Sequence, residues 1–291
     1  MTRRNLTRTS DRIYALAGLA SWIHDTTDSS YCIGLWRDDL DSQLLWYSDI
    51  SRSACPAPQR LPQPYAPSWA WPCISGPVAF FKSSSADLPV ALSEYAGPDF
   101  HSVSVQPLLG LDTQVWGMGL TSNRYGPTFM ALLQSTARVL PVYFYKSTDT
   151  WVPEYPVADF DSAALKFYID APAEGPAYTK NDPNRPMKYW LILAGKFQES
   201  GGYTPIQLQA VCLLTRRMTS YEDQILVTQA YLTFCLGISK HGDKDYRYEN
   251  KNLATADKNV DLNLARVGIV RGAGSIRAWA EAVPETKFNL Y

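Results

Sequence analysis

The sequence carries little charge. Asp, Glu, Lys and Arg make up 19% of the 291 residues, against roughly 25% in typical domains. The 27 basic and 28 acidic residues leave a net charge of -1, which excludes a general electrostatic attraction to nucleic acid. The hydrophobic share of 46% excludes a wholly disordered chain, and the length allows about two domains of roughly 150 residues each.

Cysteine is also scarce, and its spacing matches neither a disulfide framework nor a zinc site. The five cysteines are odd in number and never closer than 18 residues: Cys32, Cys55, Cys73, Cys212 and Cys235. Reduced thiols of an intracellular protein are expected. The first dozen residues are polar and basic with no apolar segment after them, so no secretory signal is predicted and the expected location is cytoplasmic.

Long hydrophobic helices are missing as well, so no membrane span is predicted. The charge-free stretch 61–81 contains five prolines, which repeatedly break a helix. The stretch 224–239 has 16 residues, fewer than the roughly 20 that a bilayer requires. A buried segment of a soluble protein is the preferred interpretation of 224–239.

The residues that usually carry chemistry form no recognisable constellation. The three histidines lack a metal-ligand spacing: His24, His101 and His241. Two glycine pairs lack the third glycine of a dinucleotide fingerprint and are interpreted as turn glycines: Gly117 and Gly119, Gly272 and Gly274. The sequence therefore predicts no catalytic residue, no cofactor-binding residue, no cofactor and no metal ligand.

The densest acidic cluster has a structural explanation. Asp38, Asp39 and Asp41 could form a carboxylate pair or a hard-metal site. They stand, however, where a second helix is predicted to begin, and acidic residues stabilise the first turn of a helix. Adjacent helical positions also point about 100° apart, so Asp38 and Asp39 would not converge on one atom.

Two helices are predicted at the front of the chain. Ile13, Leu16, Ala17, Ala20 and Ile23 recur at helical spacing over 11–24, with Ser10 placed to cap the helix. Because glycine weakens a helix, Gly18 predicts a close packing contact. The second helix is expected from Asp38 or Asp39 through Tyr47.

A proline-rich and tryptophan-rich connector follows, and then a β-rich region. Trp69 and Trp71 alternate around Ala70, so on a strand both rings would project to one face. Short apolar segments after residue 81 predict mostly antiparallel strands, with a helical turn at Ser275 to Glu281. The predicted strands include 139–145, 166–169, 189–193, 209–215, 266–270 and 288–291.

The predicted fold class is α+β: a short N-terminal helical layer followed by a mostly antiparallel β-rich region, sandwich or barrel-like. The expected divisions are a helical part at 1–50, the connector at 51–80 and the β-rich part at 81–291. Residues 218–263 include a charge-rich stretch with few large apolar residues. This segment is interpreted as a poorly ordered insertion, with a retained intron as the alternative.

Aromatic residues allow a second functional interpretation. Trp69 and Trp71 lie close in sequence to Tyr65, Phe80 and Phe81. If exposed, such rings could stack on sugars in a carbohydrate-binding module or a hydrolase. No Lys or Arg lies between Arg60 and Lys82, which disfavours nucleic acid. Burial in the core is the preferred interpretation, because large aromatic residues dominate protein cores.

Three blocks in a fixed order resemble the C-terminal part of fungal heterokaryon incompatibility (HET) domain proteins. The first runs from Arg4 to Thr7 and from Ser10 to Ala20. The second contains Ile33 to Trp36, followed by Asp39-Leu40 and Leu44 to Trp46. The third contains Ala66 to Trp71 and then Gly76 to Val78. Their order and spacing over about 75 residues make the resemblance specific.

The resemblance implies a role in fungal non-self recognition and programmed cell death. It also implies that the chain begins about where the HET domain ends, so no catalytic position is carried over. The chain is therefore expected to be a fragment or a diverged relative that acts as a non-enzymatic recognition or regulatory part. Its expected partner is another protein or its own HET effector domain; no small-molecule ligand is identified.

Overall fold

A computed structural model describes residues 11–49, 57–61, 66–83, 104–109, 114–119, 125, 128–176, 185–198, 208–218, 260 and 262–291. A helix at the front is followed by a large and mostly antiparallel sheet, which confirms the predicted α+β class. The helices of the described residues are α1 Asp11–Thr27, α2 Leu40–Gln43 and α3 Ile276–Ala282. The 3-10 helices described are Arg37–Asp39, Trp71–Cys73, Ser162–Ala164 and Pro172–Glu174.

The strands fall into two groups. Those of the N-terminal part are β1 Tyr31–Cys32, β2 Leu35–Trp36, β3 Trp46–Ser48 and β4 Val78–Phe80. Those of the large sheet are β5 Lys82–Ser83, β6 Ser104–Pro107, β7 Gln114–Gly119, β8 Thr128–Tyr145, β9 Thr150–Pro153, β10 Lys166–Ile169, β11 Met187–Gln198, β12 Leu208–Arg217, β13 Asn263–Ser275 and β14 Glu285–Leu290.

The central strands pair in a closed circuit. β8 pairs with β11, β11 with β12, and β12 with β13, each antiparallel. β13 pairs with β14 in parallel through α3, and β14 returns to β8 in antiparallel register. The circuit makes this part of the large sheet barrel-like, and β5 and β7 are the end strands of the sheet outside it.

Both faces of this sheet are covered by buried side chains. Successive residues of a strand point to opposite faces, so Ile192 joins one hydrophobic cluster and Leu191 and Leu193 join the other. The first cluster contains α1, the tryptophan-rich connector and one sheet face. The second contains the other face and Trp279 of α3. The segments predicted as 1–50, 51–80 and 81–291 therefore share one core where the structure describes them.

The first helix forms as predicted and extends further. α1 buries Ile13, Ala17 and Ala20, of which Ile13 belongs to the first cluster, and the helix runs to Thr27 instead of residue 24. It ends before Asp28, whose φ of 55° is left-handed. The predicted cap, Ser10, lies outside the described residues. The packing contact predicted at Gly18 is wrong: Gly18 is exposed, and an added Cβ would meet nothing within 4 Å.

The second helix is shorter than predicted. The chain forms a 3-10 turn at Arg37–Asp39 and then α2, which ends at Gln43. Tyr47, which was expected on the helix, lies in β3, which pairs with β4. The backbone is extended there because the fully buried Trp46 is held between the connector and the sheet. The N-terminal part is therefore not purely helical.

The glycine pairs lie inside strands, and their interpretation as turn glycines is wrong. Gly117 and Gly119 belong to β7, and Gly272 and Gly274 belong to β13. The latter two have φ of 82° and 89°, a region that side chains rarely adopt. Nearby, an added Cβ at Gly268 would lie 2.4 Å from the carbonyl oxygen of Tyr168, so glycine allows β10 to approach β13.

The six predicted strands are confirmed: four are longer than predicted, β10 has the predicted bounds, and β14 begins three residues earlier and ends one residue earlier than predicted. The C-terminal helix is also confirmed. Its N-cap is Ser275, whose side chain accepts a hydrogen bond from the backbone N–H of Ala278. The segments 224–239 and 240–259, and with them most of the predicted insertion, lie outside the described residues. At its two ends, the N–H of Met218 donates to the carbonyl of Asn263 at 3.1 Å, so the chain leaves and re-enters the sheet at neighbouring positions.

Candidate functional site

The acidic cluster lies at the start of α2. Asp38 and Asp39 are exposed in the preceding 3-10 turn, and Asp41 accepts a hydrogen bond from the N–H of Ser42 at 2.9 Å. Asp39 Oδ2 accepts from Gln43 Nε2 at 3.4 Å. These contacts agree with the prediction of a helix start. No group of three potential metal ligands was found among the residues that the structure describes.

Of the three histidines, only His24 lies within the described residues. Its Nδ1 is 2.7 Å from the carbonyl oxygen of Ser29, just beyond the end of α1. Its ring centroid is 6.4 Å from that of Tyr125. His24 therefore links the end of α1 to the chain that follows. His101 and His241 lie outside the described residues.

The tryptophan-rich junction is interior, as predicted. Trp69 is fully buried and Trp71 retains 5% of its exposure. The residues before Trp71 form turns and Trp71 itself begins a 3-10 helix, so the strand considered for these two rings is not present. The indole N–H of Trp46 donates to the carbonyl of Trp69 at 2.8 Å. Trp69 has no exposed face for a sugar and Trp71 exposes only a small edge, which disfavours a carbohydrate platform at these two rings.

A buried ion pair fastens the N-terminal part to the sheet. Arg266 of β13 and Asp170 are both fully buried, and Arg266 Nε donates to Asp170 Oδ2 at 2.9 Å. The same guanidinium donates to the carbonyls of Leu44 and Trp46 and lies 3.7 Å from the centroid of the Trp46 ring. Sequence reasoning missed this pair, although an Arg within an apolar strand indicates a buried partner.

A second arginine joins α1 to the connector. Arg12 is buried, and its guanidinium donates to the carbonyls of Ile74, Ser75 and Gly76 at 2.6 to 3.1 Å. It also lies over the Trp71 ring, 5.8 Å from the centroid. These contacts hold one side of α1 against the connector. The opposite side of α1 is exposed.

An open apolar groove of about 390 Å³ lies along α1. One wall is formed by Leu16, Leu19, Ala20 and Ile23 of that helix. These positions recur at helical spacing, so they form a stripe of about two turns. Leu19 is 53% exposed and therefore lies at the open lip of the groove.

The opposite wall comes from β1, β2, β4 and the connector. Tyr31 and Trp36 pack edge to face, with ring centroids 5.2 Å apart. Trp71 contributes its ring and holds the wall in place, because its indole N–H donates to the carbonyl of Gly34 at 2.7 Å. Phe80 is 42% exposed at the far lip.

The turn at Gly34 requires glycine. Ile33 and Gly34 have φ of 49° and 88° between β1 and β2, and a two-residue hairpin turn with both angles positive matches the twist of the strands. An added Cβ at Gly34 would lie 2.7 Å from Trp71 Nε1. The position of the Trp71 ring therefore depends on glycine at this turn.

The lining carries little polar chemistry. Its polar side chains are Gln43, the phenol of Tyr31 and the indoles of Trp36 and Trp71, and no carboxylate, imidazole, thiol or amine is among the described residues that line it. The amide of Gln43 is occupied, since its Oε1 accepts from the N–H of Trp36 at 2.9 Å. The groove can therefore bury apolar side chains of a ligand.

Further apolar side chains of α1 are exposed outside the groove. Tyr14 is 47% and Trp22 is 65% exposed. The prediction of α1 named only its buried stripe and missed Leu19 and Trp22. The sequence does contain a signal for these two residues, because apolar residues occur on more than one face of this helix. Such a pattern indicates a second contact surface.

The described cysteines are free and buried: Cys32, Cys73 and Cys212. Burial raises the pKa of the Cys32 thiol to about 12, with the Arg37 charge acting in the opposite direction. Burial alone raises the pKa of the Cys212 thiol well above its ordinary value. Neither thiol has the low pKa of a nucleophile. Cys55 and Cys235 lie outside the described residues.

No helix within the described ranges is long and apolar enough to cross a membrane. Comparison with protein families, with curated proteins and with solved structures finds no match to this chain.

Proposed function

We propose that this chain is the recognition or regulatory part of a fungal heterokaryon incompatibility protein, and that it acts in the cytoplasm through protein contacts without catalysing a reaction. One observation carries the proposal: the three blocks that resemble HET-domain proteins meet at the groove. The first block supplies Leu16, Leu19 and Ala20, and the second supplies Gly34 and Trp36. The third supplies two further lining residues, Trp71 and Val78.

The surface chemistry supports a protein contact. Soluble proteins rarely leave large apolar side chains clustered in water without an interaction partner. Here Leu19 of α1 and Phe80 of β4 line the groove and are each more than two-fifths exposed, and Trp22 is exposed one helical turn after Leu19. Aromatic residues of this kind dominate the binding energy of protein interfaces.

The partner is another incompatibility protein or the effector domain of the same protein. Docking at the groove would hold that domain in place or cover it until non-self contact releases it. The rigid support of α1 suits this role. Arg12 anchors the helix to the connector, and Arg266 anchors Leu44 and Trp46 of the N-terminal part to the sheet.

The test is an incompatibility assay in the source strain. The chromosomal gene is replaced by one encoding Leu19→Gln and Trp22→Gln, which remove exposed apolar groups from the groove lip and from the next turn of α1 with little expected change in stability. Hyphae are fused with an incompatible strain, and the fraction of dead fusion cells is counted. We expect the variant to lose the response or to trigger it without fusion.

The matched control is Val152→Gln with Tyr155→Gln. Val152 of β9 and Tyr155, two residues after that strand, are 44% and 38% exposed, and neither lines the groove. The control is expected to respond as the original strain does. An unchanged response in the groove variant, at equal protein level, would overturn the proposed function.

A further inference from the structure

One buried arginine of the sheet differs from the two others that the structure describes. Arg271 of β13 retains 6% of its exposure. Its Nε and Nη1 are buried and have no hydrogen-bond partner in the part of the chain that the structure describes. By contrast, Arg266 of the same strand donates to Asp170 and to two carbonyls. Arg12 of α1 donates to three carbonyls.

Two aromatic rings lie against the guanidinium of Arg271. Its Cζ is 5.5 Å from the centroid of the Tyr168 ring and 5.0 Å from that of the Phe197 ring. The Tyr168 ring is held in turn by Tyr47 and Phe81, whose ring centroids are 5.6 and 5.8 Å from it. The faces of such rings attract a cation. They do not replace the oxygen acceptors that buried guanidinium N–H groups require.

A buried guanidinium without a counter-ion is energetically unfavourable. Arginine keeps its proton in proteins, so the charge cannot be removed by titration. Burial of the charge and of the two N–H groups without acceptors both lower the stability of the fold. For this reason buried charges are paired in most proteins. An anion that binds the folded chain at Arg271 would offset both costs.

The strand register places a second cation beside Arg271. Lys166 of β10 is directly opposite Arg271 in the antiparallel pair, so the two side chains leave the same face of the sheet. Lys166 is exposed, so solvent is reached one strand away from Arg271. Positive charge at the surface attracts anions towards the buried guanidinium.

We infer that Arg271 anchors a binding site for a small carboxylate ligand. Carboxylate oxygens accept charge-assisted hydrogen bonds from a guanidinium, which are roughly twice as strong as neutral ones. One negative charge forms a neutral pair with Arg271, whereas a phosphate dianion leaves excess negative charge beside the negative ring faces. The rings of Tyr168 and Phe197 suit an apolar or aromatic group attached to the carboxylate. None of these three residues lines the groove along α1, so this site does not depend on the proposed function.

Benzoate, benzamide and phosphate test the inference on the full chain. Benzoate carries its carboxylate on a ring, and benzamide is an uncharged molecule of nearly the same shape. Sodium chloride keeps the ionic strength constant, calorimetry measures the affinity, and thermal unfolding measures the Tm. We expect benzoate to bind at one site per chain and to raise the Tm by about 2 °C at about ten times its dissociation constant. Benzamide and phosphate should bind at least about tenfold more weakly.

Arg271→Met tests the residue itself. This variant removes the charge and keeps a long apolar side chain, so benzoate should bind at least about tenfold more weakly. Without ligand, the variant should be no less stable than the original protein, because an unpaired buried charge is replaced by an apolar group. The matched control, Arg217→Met, removes one positive charge at an exposed position of β12 and should bind benzoate as the original protein does.

Several results would overturn the inference. Equal affinity for benzoate and benzamide would show that the charge is not recognised, and tighter binding of phosphate would exclude the preference for a carboxylate. Unchanged benzoate binding in Arg271→Met would place the ligand elsewhere, and the absence of saturable binding would reject the site. A large loss of stability in that variant without ligand, or its failure to fold, would show that the chain itself already satisfies the guanidinium.

Discussion

Removal of the Asp170 carboxylate should be among the most damaging single changes in this protein. Asp170 is fully buried and receives two hydrogen bonds from Arg266, at 2.9 and 3.1 Å. Asp170→Ala leaves that guanidinium buried without its counter-ion, which costs about 3–5 kcal/mol. Arg60, whose Nη2 is 3.9 Å from Asp170 Oδ2, loses the same partner.

The double variant distinguishes a coupled pair from two independent contacts. Arg266→Met alone leaves the carboxylate buried and removes the donor from the carbonyls of Leu44 and Trp46. In Asp170→Ala with Arg266→Met, no uncompensated charge remains at this pair, and the main cost is two orphaned carbonyls at about 1–3 kcal/mol each. The double variant should therefore lose at least about 2 kcal/mol less than the sum of the single variants.

Urea unfolding followed by circular dichroism measures the three free energies of unfolding. Glu281→Ala is the matched control, because it removes one carboxylate of an exposed ion pair on α3 and should change stability by less than about 1 kcal/mol. Additive losses in the double variant, or a loss below about 1 kcal/mol for Asp170→Ala, would refute the reasoning that this pair acts as one buried unit.

Two further predictions concern the buried core. Trp71→Ala should lower the free energy of unfolding by about 3–5 kcal/mol, because the ring is buried. In the same urea titration, Trp22→Ala, at a ring 65% exposed, should change it by about 0.5 kcal/mol or less; equal losses would contradict the assigned burial. Burial raises the pKa of Cys32 from 9.0 to about 12, so above pH 9 this thiol ionises in the unfolded chain before it ionises in the folded protein. Its contribution to the free energy of unfolding is therefore complete below pH 9 and is lost as the pH rises towards 12. Unfolding free energies across that range should fall more steeply for the original protein than for Cys32→Ala, and parallel curves would disprove this role.

Local sequence signals predicted the elements whose formation depends on neighbouring residues. The apolar spacing of α1 and the cap at Ser275 both specify helices that the structure contains. Runs such as 189–193 and 209–215 are apolar on both faces, and they form strands covered on both faces. These elements need only propensity, periodicity and a capping side chain, which are local properties.

Local signals gave a wrong prediction in two places, one where distant residues pack together and one where an expected contact is absent. Leu44 and Tyr47 continue a helical pattern from α2, yet the chain becomes extended because Trp46 packs under Arg266, which is 220 residues away in sequence. Gly18 was expected to mark a tight contact, but that face of α1 remains open to solvent. Neither outcome is encoded within a short window of sequence.

The sequence by itself determined the α+β class, the helix over α1, the six predicted strands from residue 139 onward and the burial of the tryptophan-rich junction, because each follows from the order of apolar residues along the chain. Tertiary structure alone decided the closed circuit of strands, the Arg266–Asp170 pair and the groove. The groove joins residues from Leu16 to Phe80, and the ion pair joins positions 96 residues apart. Such features arise only when distant segments meet, since the burial that favours them exists only in the folded core.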